Sequence, residues 1–166
     1  MKESDLRLFW LLARAIDNLQ ANVLARQSVS LVQFIALRFI WLHEEPNLGM
    51  IARALSISNA AATKLIDRMV KKGWVRKEPC FEDRRERRLA LTGQGEAMLR
   101  ISIDEGLQAV DKVVSHMVAT DLAAMAQGTY AFLHSAAEQG TDLEQVCLRC
   151  GRQHESTCPG VDLFRQ

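Results

Sequence analysis

Hydrophobic side chains recur at spacings of three and four residues between Ser58 and Gly73, a pattern typical of an amphipathic helix. The apolar stripe consists of Ala62, Leu65, Ile66, Met69 and Val70. The opposite face has small, polar and basic residues: Asn59, Thr63, Lys64, Arg68, Lys71 and Lys72. Ser58 is a favourable N-cap, because its hydroxyl can accept a hydrogen bond from a first-turn amide, and Gly73 suits a helix C-terminus. The pattern predicts a helix with a basic outer face.

The residues after Gly73 predict a β-hairpin. Aromatic and β-branched residues open a short strand over 74–78, residues 79–83 interrupt it, and 87–91 predict a returning strand. The tip at 82–88 is highly charged. Upstream of the amphipathic helix, 48–55 predicts another helix, followed by a turn at Ser56 and Ile57. Together these elements predict a winged helix-turn-helix.

Two further helices are predicted before this unit. The first covers about residues 4–26, and its apolar face is wider than one core contact requires. The second begins at Ser30, a favourable N-cap, and ends at His43. It is apolar nearly all round apart from Gln33 and Arg38, which predicts a central, buried helix.

Two helices are predicted after the hairpin. Thr92 caps the first of them, and the second starts at Thr120 or Asp121 and continues to about Glu138. The fold class is therefore mainly α, with six helices and a two-stranded β wing. The first and the last two helices are too apolar for a monomer whose core is already filled. Either they pack on each other within one chain or they form a dimer.

Length and composition are those of an ordinary single-domain protein. The chain has 166 residues, of which 48% are hydrophobic, and a formal net charge of +1. The charge is unevenly distributed, however, because residues 64–88 contain ten Lys or Arg and five Asp or Glu. This local excess lies on the amphipathic helix and the hairpin, where Lys and Arg would neutralise the phosphates of a DNA duplex. No apolar run is long enough for a membrane span and no secretory signal is evident, so we expect a cytoplasmic protein.

The same region resembles the MarR family of transcriptional regulators. The similar segments are Leu55-Ser-Ile-Ser58, Thr63-Lys-Leu-Ile-Asp-Arg-Met-Val-Lys-Lys-Gly-Trp-Val75, Asp83-Arg-Arg85 and Leu91-Thr-Gly-Gln-Gly95. They correspond to a recognition helix ending in Leu-x-x-Lys-Gly-x-Val, a wing with Asp-x-Arg, and a closing Leu-Thr-x-x-Gly. Met69 replaces the usual leucine, with little change of volume. The resemblance covers about residues 6–138.

The resemblance implies a domain organisation and a dimer. Residues 1–138 would form a winged-helix domain with a DNA-binding lobe at about 46–92 and dimerisation helices at about 4–26 and 93–138. Residues 139–166 lie outside the family pattern, as a Cys-rich C-terminal tail. Interlocked terminal helices would place two recognition helices on a pseudo-palindromic duplex, with half-sites about one turn apart.

Candidate DNA contacts follow from residue chemistry and from the family pattern. We expect base-edge contacts from the first half of the recognition helix, at Ser58, Asn59, Ala61 and Thr63, because Asn suits adenine edges and methyl groups suit thymine. Lys64 and Arg68 are predicted phosphate contacts. The resemblance implies that Arg85 enters a minor groove, oriented by Asp83. Arg84, Arg87 and Arg88 are further candidates for phosphate contacts.

The C-terminal tail has a candidate metal site. Its spacing is Cys-x2-Cys-x3-His-x3-Cys, formed by Cys147, Cys150, His154 and Cys158. These residue types suit tetrahedral zinc, and the order resembles a zinc knuckle with shorter spacers. The alternatives are an iron–sulfur cluster held by the three thiolates and a fourth ligand, a reversible disulfide between Cys147 and Cys150, or free thiols. Cys80 has no partner at a metal-binding spacing.

These features predict a homodimeric DNA-binding regulator of transcription, a repressor released by a small molecule, metal or redox signal. One alternative is a sensor whose effector site is the Cys-rich tail. Another is a protein-interaction module without DNA binding. An enzyme is not expected, because the sequence has no Gly-rich phosphate loop, nucleophile elbow or pair of catalytic carboxylates.

Overall fold

The computed structural model describes residues 2–79 and 87–141. Within them the chain forms six α-helices and one antiparallel two-stranded sheet, which confirms the predicted mainly α, winged-helix class. The elements in chain order are α1 (Glu3–Arg26), α2 (Leu31–Leu42), α3 (Leu48–Ala54), α4 (Asn59–Lys71), β1 (Val75–Pro79), β2 (Arg87–Leu91), α5 (Gly93–Val114) and α6 (Ala119–Glu138).

The predicted helix starts at Ser30, Ser58 and Thr92 are confirmed. Each of these three side chains accepts a hydrogen bond from the amide three residues further on, in α2, α4 and α5 respectively. At Ser30 the side chain of Gln33 also accepts a bond from the Ser30 amide (3.0 Å). This reciprocal pair explains how Gln33 can be buried, since its polar atoms replace bonds to water with bonds to the backbone.

Among the element boundaries that differ from the prediction, two have a clear structural cause. β1 begins at Val75 rather than Trp74, because the Trp74 amide donates to the Met69 carbonyl (3.0 Å) and so belongs to the end of α4. α6 begins at Ala119, before the predicted Thr120 or Asp121, and no side chain caps it. Backbone bonds from the first turn to the Val118 carbonyl mark its start, and a side-chain signal cannot reveal such a boundary.

The core is built around α2, as predicted. Every residue from Gln33 to Ile40 is buried, and this stretch includes Arg38. α2 contacts α1, α3, α5 and β2, so the other elements of the winged-helix unit are arranged around it. The apolar faces of α3, α4, the sheet and α5 close the same cluster with Ile51, Ile66, Met69, Val75, Leu89, Leu91 and Leu99.

α4 ends in a compact hydrogen-bonded turn at Gly73. The Gly73 amide donates to the Val70 carbonyl (2.9 Å), and the amide of the following Trp74 donates to Met69. Gly73 has φ +73°, a left-handed conformation that costs other residues energy because of their Cβ. The turn sends the chain directly into β1, so the position of the wing relative to α4 is fixed by only a few residues.

The two strands of the wing pair in a regular antiparallel register. Val75 is opposite Leu91, and Glu78 is opposite Arg88. A backbone hydrogen bond also joins β2 to the α2–α3 loop, where the Leu89 amide donates to the Pro46 carbonyl (2.7 Å). The base of the wing is therefore attached to the protein body on one edge.

α5 begins in close contact with the end of α4. The Thr92 hydroxyl donates to the Gly73 carbonyl (2.5 Å), and the Thr92 amide donates to the Trp74 carbonyl (3.0 Å). The helix then passes so near the backbone just before β1 that a Cβ on Gly95 would lie 2.0 Å from the Trp74 carbonyl oxygen. Only glycine fits at this position, which gives a physical reason for the glycine in the Leu-Thr-x-x-Gly motif.

The terminal helices leave much apolar surface uncovered in one chain. α6 has no buried residue, and in α1 Trp10 is 75% exposed. The two helices meet through Phe9 and Phe132, whose rings stack at 5.4 Å. Among residues 2–79 and 87–141, no single helix is long and apolar enough to cross a membrane. Within these ranges one pair of helices, α1 and α2, has the length and composition when taken together, and the pair is bent by 88°.

We predict that Gly95→Ala lowers the free energy of unfolding by about 1–3 kcal/mol or more, because α5 and β1 must separate to admit the methyl group. Gly93→Ala is the matched control, since a Cβ there meets nothing within 4 Å. The control should stay within about 0.5 kcal/mol of the wild type. Urea denaturation compares the two variants, and equal stabilities would contradict the close approach.

Candidate nucleic-acid interface

The exposed face of α4 presents the predicted base-contacting residues at its N-terminal end. Asn59 and Ala61 are exposed, and the Asn59 side chain has no hydrogen-bond partner among the described residues. Ser58 is also exposed, although its oxygen accepts the Ala61 amide (3.2 Å). The Thr63 hydroxyl donates to the Asn59 carbonyl (2.9 Å), which leaves its methyl group as the part suited to an apolar contact. Asn59 is therefore the amide best placed to bind a base edge.

The basic residues of α4 and the wing fall into two groups. Four are exposed and have no ion-pair or hydrogen-bond partner for their side chains within the described ranges: Lys64, Arg68, Lys71 and Arg87. Four others contact the protein itself: Lys72, Arg76, Lys77 and Arg88. The sequence alone did not distinguish the groups, and the number of cations without a partner in the described residues is smaller than a count of basic residues indicates.

Lys72 connects the end of α4 to the corner between α1 and α2. Its ammonium donates to the Ser28 carbonyl (2.9 Å) and lies 4.2 Å from the centre of the Trp74 ring. Ser28 itself has φ +55°, the left-handed conformation that turns the chain from α1 toward α2. Lys72 is itself exposed, and a cation–aromatic contact at an exposed site contributes about 0.5–1 kcal/mol.

A cluster of ion pairs covers one face of the wing base. Glu78 of β1 accepts from Arg76 Nε (2.5 Å) through one oxygen and pairs with Arg88 Nη2 (2.8 Å) through the other. Arg88 Nη1 is also 3.7 Å from Glu45 in the α2–α3 loop, and Arg76 donates to the Leu91 carbonyl. The hydrogen bond from Arg76, followed by the charges of both arginines, lowers the pKa of Glu78, so this carboxylate stays ionised near neutral pH.

A separate ion pair, outside this cluster, lies on the opposite face of β1. Lys77 Nζ is 2.7 Å from Asp67 of α4, with both side chains partly exposed. Successive side chains of a strand point to opposite faces, so Lys77 lies on one face of β1 and Arg76 and Glu78 lie on the other. The first face contacts α4, and the second carries the ion-pair cluster. The wing is thus connected both to α4 and to the α2–α3 loop.

Several predicted site residues lie outside the described part of the chain. In the wing these are Asp83, Arg84 and Arg85, and in the tail they are Cys147, Cys150, His154 and Cys158. Within residues 2–79 and 87–141, no group of three or more His, Cys, Asp or Glu side chains could hold a metal ion. The base contacts, phosphate contacts and metal ligands therefore stay predictions.

The sequence analysis missed the internal ion pairs, although one signal for them exists. In a hairpin with this register, Glu78 must face Arg88, and opposite charges directly across a strand pair attract each other. The Lys72 contact has no comparable signal, because its partner Ser28 is 44 residues away.

Comparisons with known proteins agree with this geometry. A sequence model described as the MarR family matches residues 29–86. The HTH-type transcriptional regulator PecS of Dickeya dadantii (strain 3937) is 29% identical over 105 residues, and the match spans 61% of each chain. The chain thus spans about three fifths of the length of this relative.

Two solved structures illustrate the similarity of fold. The apo form of wild-type MarR from E. coli has a TM-score of 0.64 at 23% identity, and the match covers 80% of this chain and 98% of that chain. A mutant of S. aureus MepR, bound to an oligodeoxyribonucleotide, has a TM-score of 0.63 at 15% identity and coverages of 81% and 98%. At these identities the structures support the fold alone.

The helix-turn-helix, the exposed basic face of α4 and the two-stranded wing define a winged-helix fold. The match of residues 29–86 to the MarR family model and the similarity to PecS support the predicted resemblance to that family. Members of this family are transcriptional regulators rather than enzymes, in agreement with the prediction from the sequence.

Proposed function

We propose that this protein is a repressor that binds a pseudo-palindromic DNA duplex as a homodimer. The observation that supports this most directly is the composition of the outer face of α4. It combines an unpartnered amide at Asn59 with cations at Lys64, Arg68 and Lys71 that are unpaired within the described residues. The oligonucleotide in the related MepR structure is consistent with the same use of the fold.

The dimensions and chemistry of α4 suit a major groove. B-DNA has a major groove about 12 Å wide, which admits one α-helix, and adenine offers a donor and an acceptor to an asparagine side chain. In this arrangement the cations along α4 would contact phosphates on either side. Arg87 at the start of β2 would extend the contact toward the neighbouring minor groove, together with the arginines of the wing tip.

The uncovered surface of the terminal helices supports the homodimer. An open groove of about 720 Å³ runs along α1, lined by Leu8, Phe9, Leu11, Leu12 and Met125. Leu8 and Leu11 are 63% and 64% exposed. Soluble monomers seldom expose apolar patches larger than a few hundred Å². A second copy of the same chain would cover this groove and place two α4 helices on one duplex.

We further propose that the tail is a metal site that contributes to the response to an effector. Cys147, Cys150, His154 and Cys158 are residue types that bind tetrahedral zinc, and their order resembles a zinc knuckle with shorter spacers. An iron–sulfur cluster is the alternative, with three thiolates and one further ligand. A change of metal or thiol state in the tail would act through the dimer on the separation of the two α4 helices. A small molecule bound elsewhere is the other candidate effector.

We predict that Arg68→Met weakens binding to a duplex selected from a random pool by the wild-type protein. The expected loss is about 1–3 kcal/mol, with a less steep dependence of affinity on salt. Arg14→Met removes the same charge from α1 and should bind as the wild type does. Fluorescence anisotropy measures both. Failure of the wild type to bind any duplex would favour the protein-interaction alternative.

We predict that Leu11→Glu converts the dimer into a monomer, because a carboxylate would be buried in the interface without a partner. The folded single chain should tolerate this change, since Leu11 is 64% exposed there. Lys64→Glu, an exposed change on α4, should leave the dimer intact. Sedimentation equilibrium measures both masses. A monomeric wild-type protein, or a dimeric Leu11→Glu variant, would contradict the proposal.

We predict one zinc ion per chain in protein purified without oxygen, and its loss in the Cys147→Ser/Cys150→Ser variant. Elemental analysis and the absorption spectrum test this directly. Iron with inorganic sulfide and a brown colour would instead identify a cluster-based sensor. Protein without metal, whose two cysteines form a disulfide on oxidation, would indicate a thiol switch.

A further inference from the structure

Two pairs of adjacent, equally charged residues differ in their surroundings. Lys71 and Lys72 stand at the end of α4, and Arg87 and Arg88 stand at the start of β2. In each pair the first residue is exposed and has no side-chain partner among the described residues. The second residue, exposed at Lys72 and half-buried at Arg88, contacts the protein. In each pair, therefore, one cation is available to a ligand and the other forms contacts within the protein.

Release of Lys72 toward a phosphate would break two contacts. Its ammonium would leave both the Ser28 carbonyl at 2.9 Å and the Trp74 ring at 4.2 Å. These contacts join the C-terminal end of α4 to the α1–α2 corner, 44 residues earlier in the chain. A side chain in this position restricts how α4 can tilt against the rest of the fold.

Release of Arg88 would break the ion-pair cluster at the base of the wing. Arg88 is 2.8 Å from Glu78 and 3.7 Å from Glu45, so it links both strands to the α2–α3 loop. With Arg76 included, the cluster has two positive and two negative groups and no net charge. It therefore adds little to the attraction of a polyanion, although it lies at the root of a basic wing.

We propose that Lys72 and Arg88 are positioning residues, and that within each pair only the neighbour, Lys71 or Arg87, contacts phosphate. Lys72 fixes the angle of α4, and Arg88, through Glu78 and Glu45, fixes the direction of the wing. This inference rests on the proposed DNA-binding function and changes the role predicted for Arg88 from its sequence position. It also makes Glu78, an acidic residue in a DNA-binding lobe, a contributor to specificity.

The two roles have different signatures in binding. A phosphate contact strengthens binding to every sequence, and each such contact adds about 0.9 to the steepness of log K against log salt. A positioning residue contacts no phosphate and leaves the salt slope unchanged. It strengthens binding only to the sequence whose base edges require the correct placement of helix and wing.

The test compares Lys71→Met with Lys72→Met, and Arg87→Met with Arg88→Met. Each variant loses one positive charge and keeps an unbranched side chain. Affinity is measured over a series of salt concentrations for the duplex selected by the wild type and for a random-sequence duplex. Lys71→Met and Arg87→Met should weaken both and lower the slope by about one. Lys72→Met and Arg88→Met should keep the slope and lower the selected-to-random ratio by at least about fivefold.

The Glu78→Gln variant distinguishes the effect of wing position on DNA binding from the effect of net charge. This change adds net positive charge near the duplex, so electrostatics alone would strengthen binding, whereas Arg88→Met removes positive charge. If position is the cause, both variants lower the selected-to-random ratio in spite of their opposite charge changes. Arg88→Lys is a milder variant that keeps the charge but loses the two-pronged pairing, and it should also lower the ratio.

Thermal unfolding of every variant is recorded to verify folding, and Arg88→Lys and Glu78→Gln replace Arg88→Met if that variant does not fold. A slope lowered by about one in Lys72→Met or Arg88→Met, with both duplexes weakened equally, would overturn the proposal. So would wild-type ratios in Lys72→Met, Arg88→Lys and Glu78→Gln. A wild-type protein that selects no duplex would contradict the proposed function instead, and this result is evident before any variant is made.

Discussion

The burial of α2 on all its sides is the constraint on which the remaining structure depends. Its eight consecutive buried residues have no solvent-facing stripe, so α1, α3, α5 and the sheet must all pack against it. Removal of that much apolar surface from water is the main favourable contribution to folding. The position of α4 follows from the same packing, because Ile66 and Met69 are fully buried in the shared cluster while the opposite face stays in solvent.

Around this apolar core, polar contacts determine orientation more than stability. Exposed ion pairs contribute little free energy, typically about 0–1 kcal/mol. The pairs Lys77–Asp67 and Arg88–Glu78 nevertheless join elements that have only short connections through the chain. Together with the Leu89–Pro46 backbone bond, they restrict the wing from two sides. In the proposed DNA complex such a restriction is favourable, because an error in the position of either α4 or the wing would reduce contacts in both grooves.

The sequence predicted most of the fold because the signals involved are local. The stripe of α4, the caps at Ser30, Ser58 and Thr92, and the turn at Gly73 each depend on a few neighbouring residues. The start of α6 was missed because backbone groups alone define it. The division of the basic residues was missed for another reason. It depends on strand register at Glu78 and on a tertiary contact at Lys72, and neither appears in a count of charges.

The lack of buried residues in α6 has a consequence for the amount of protein in the cell. A helix of 20 residues that finds no core of its own gains most of its stability from a partner, so in the proposed dimer its folding is coupled to association. Dilute chains would then keep α6 frayed and open to proteases. The protein would then accumulate only when its rate of synthesis is high enough for dimers to form. Its lifetime in the cell would increase with its concentration.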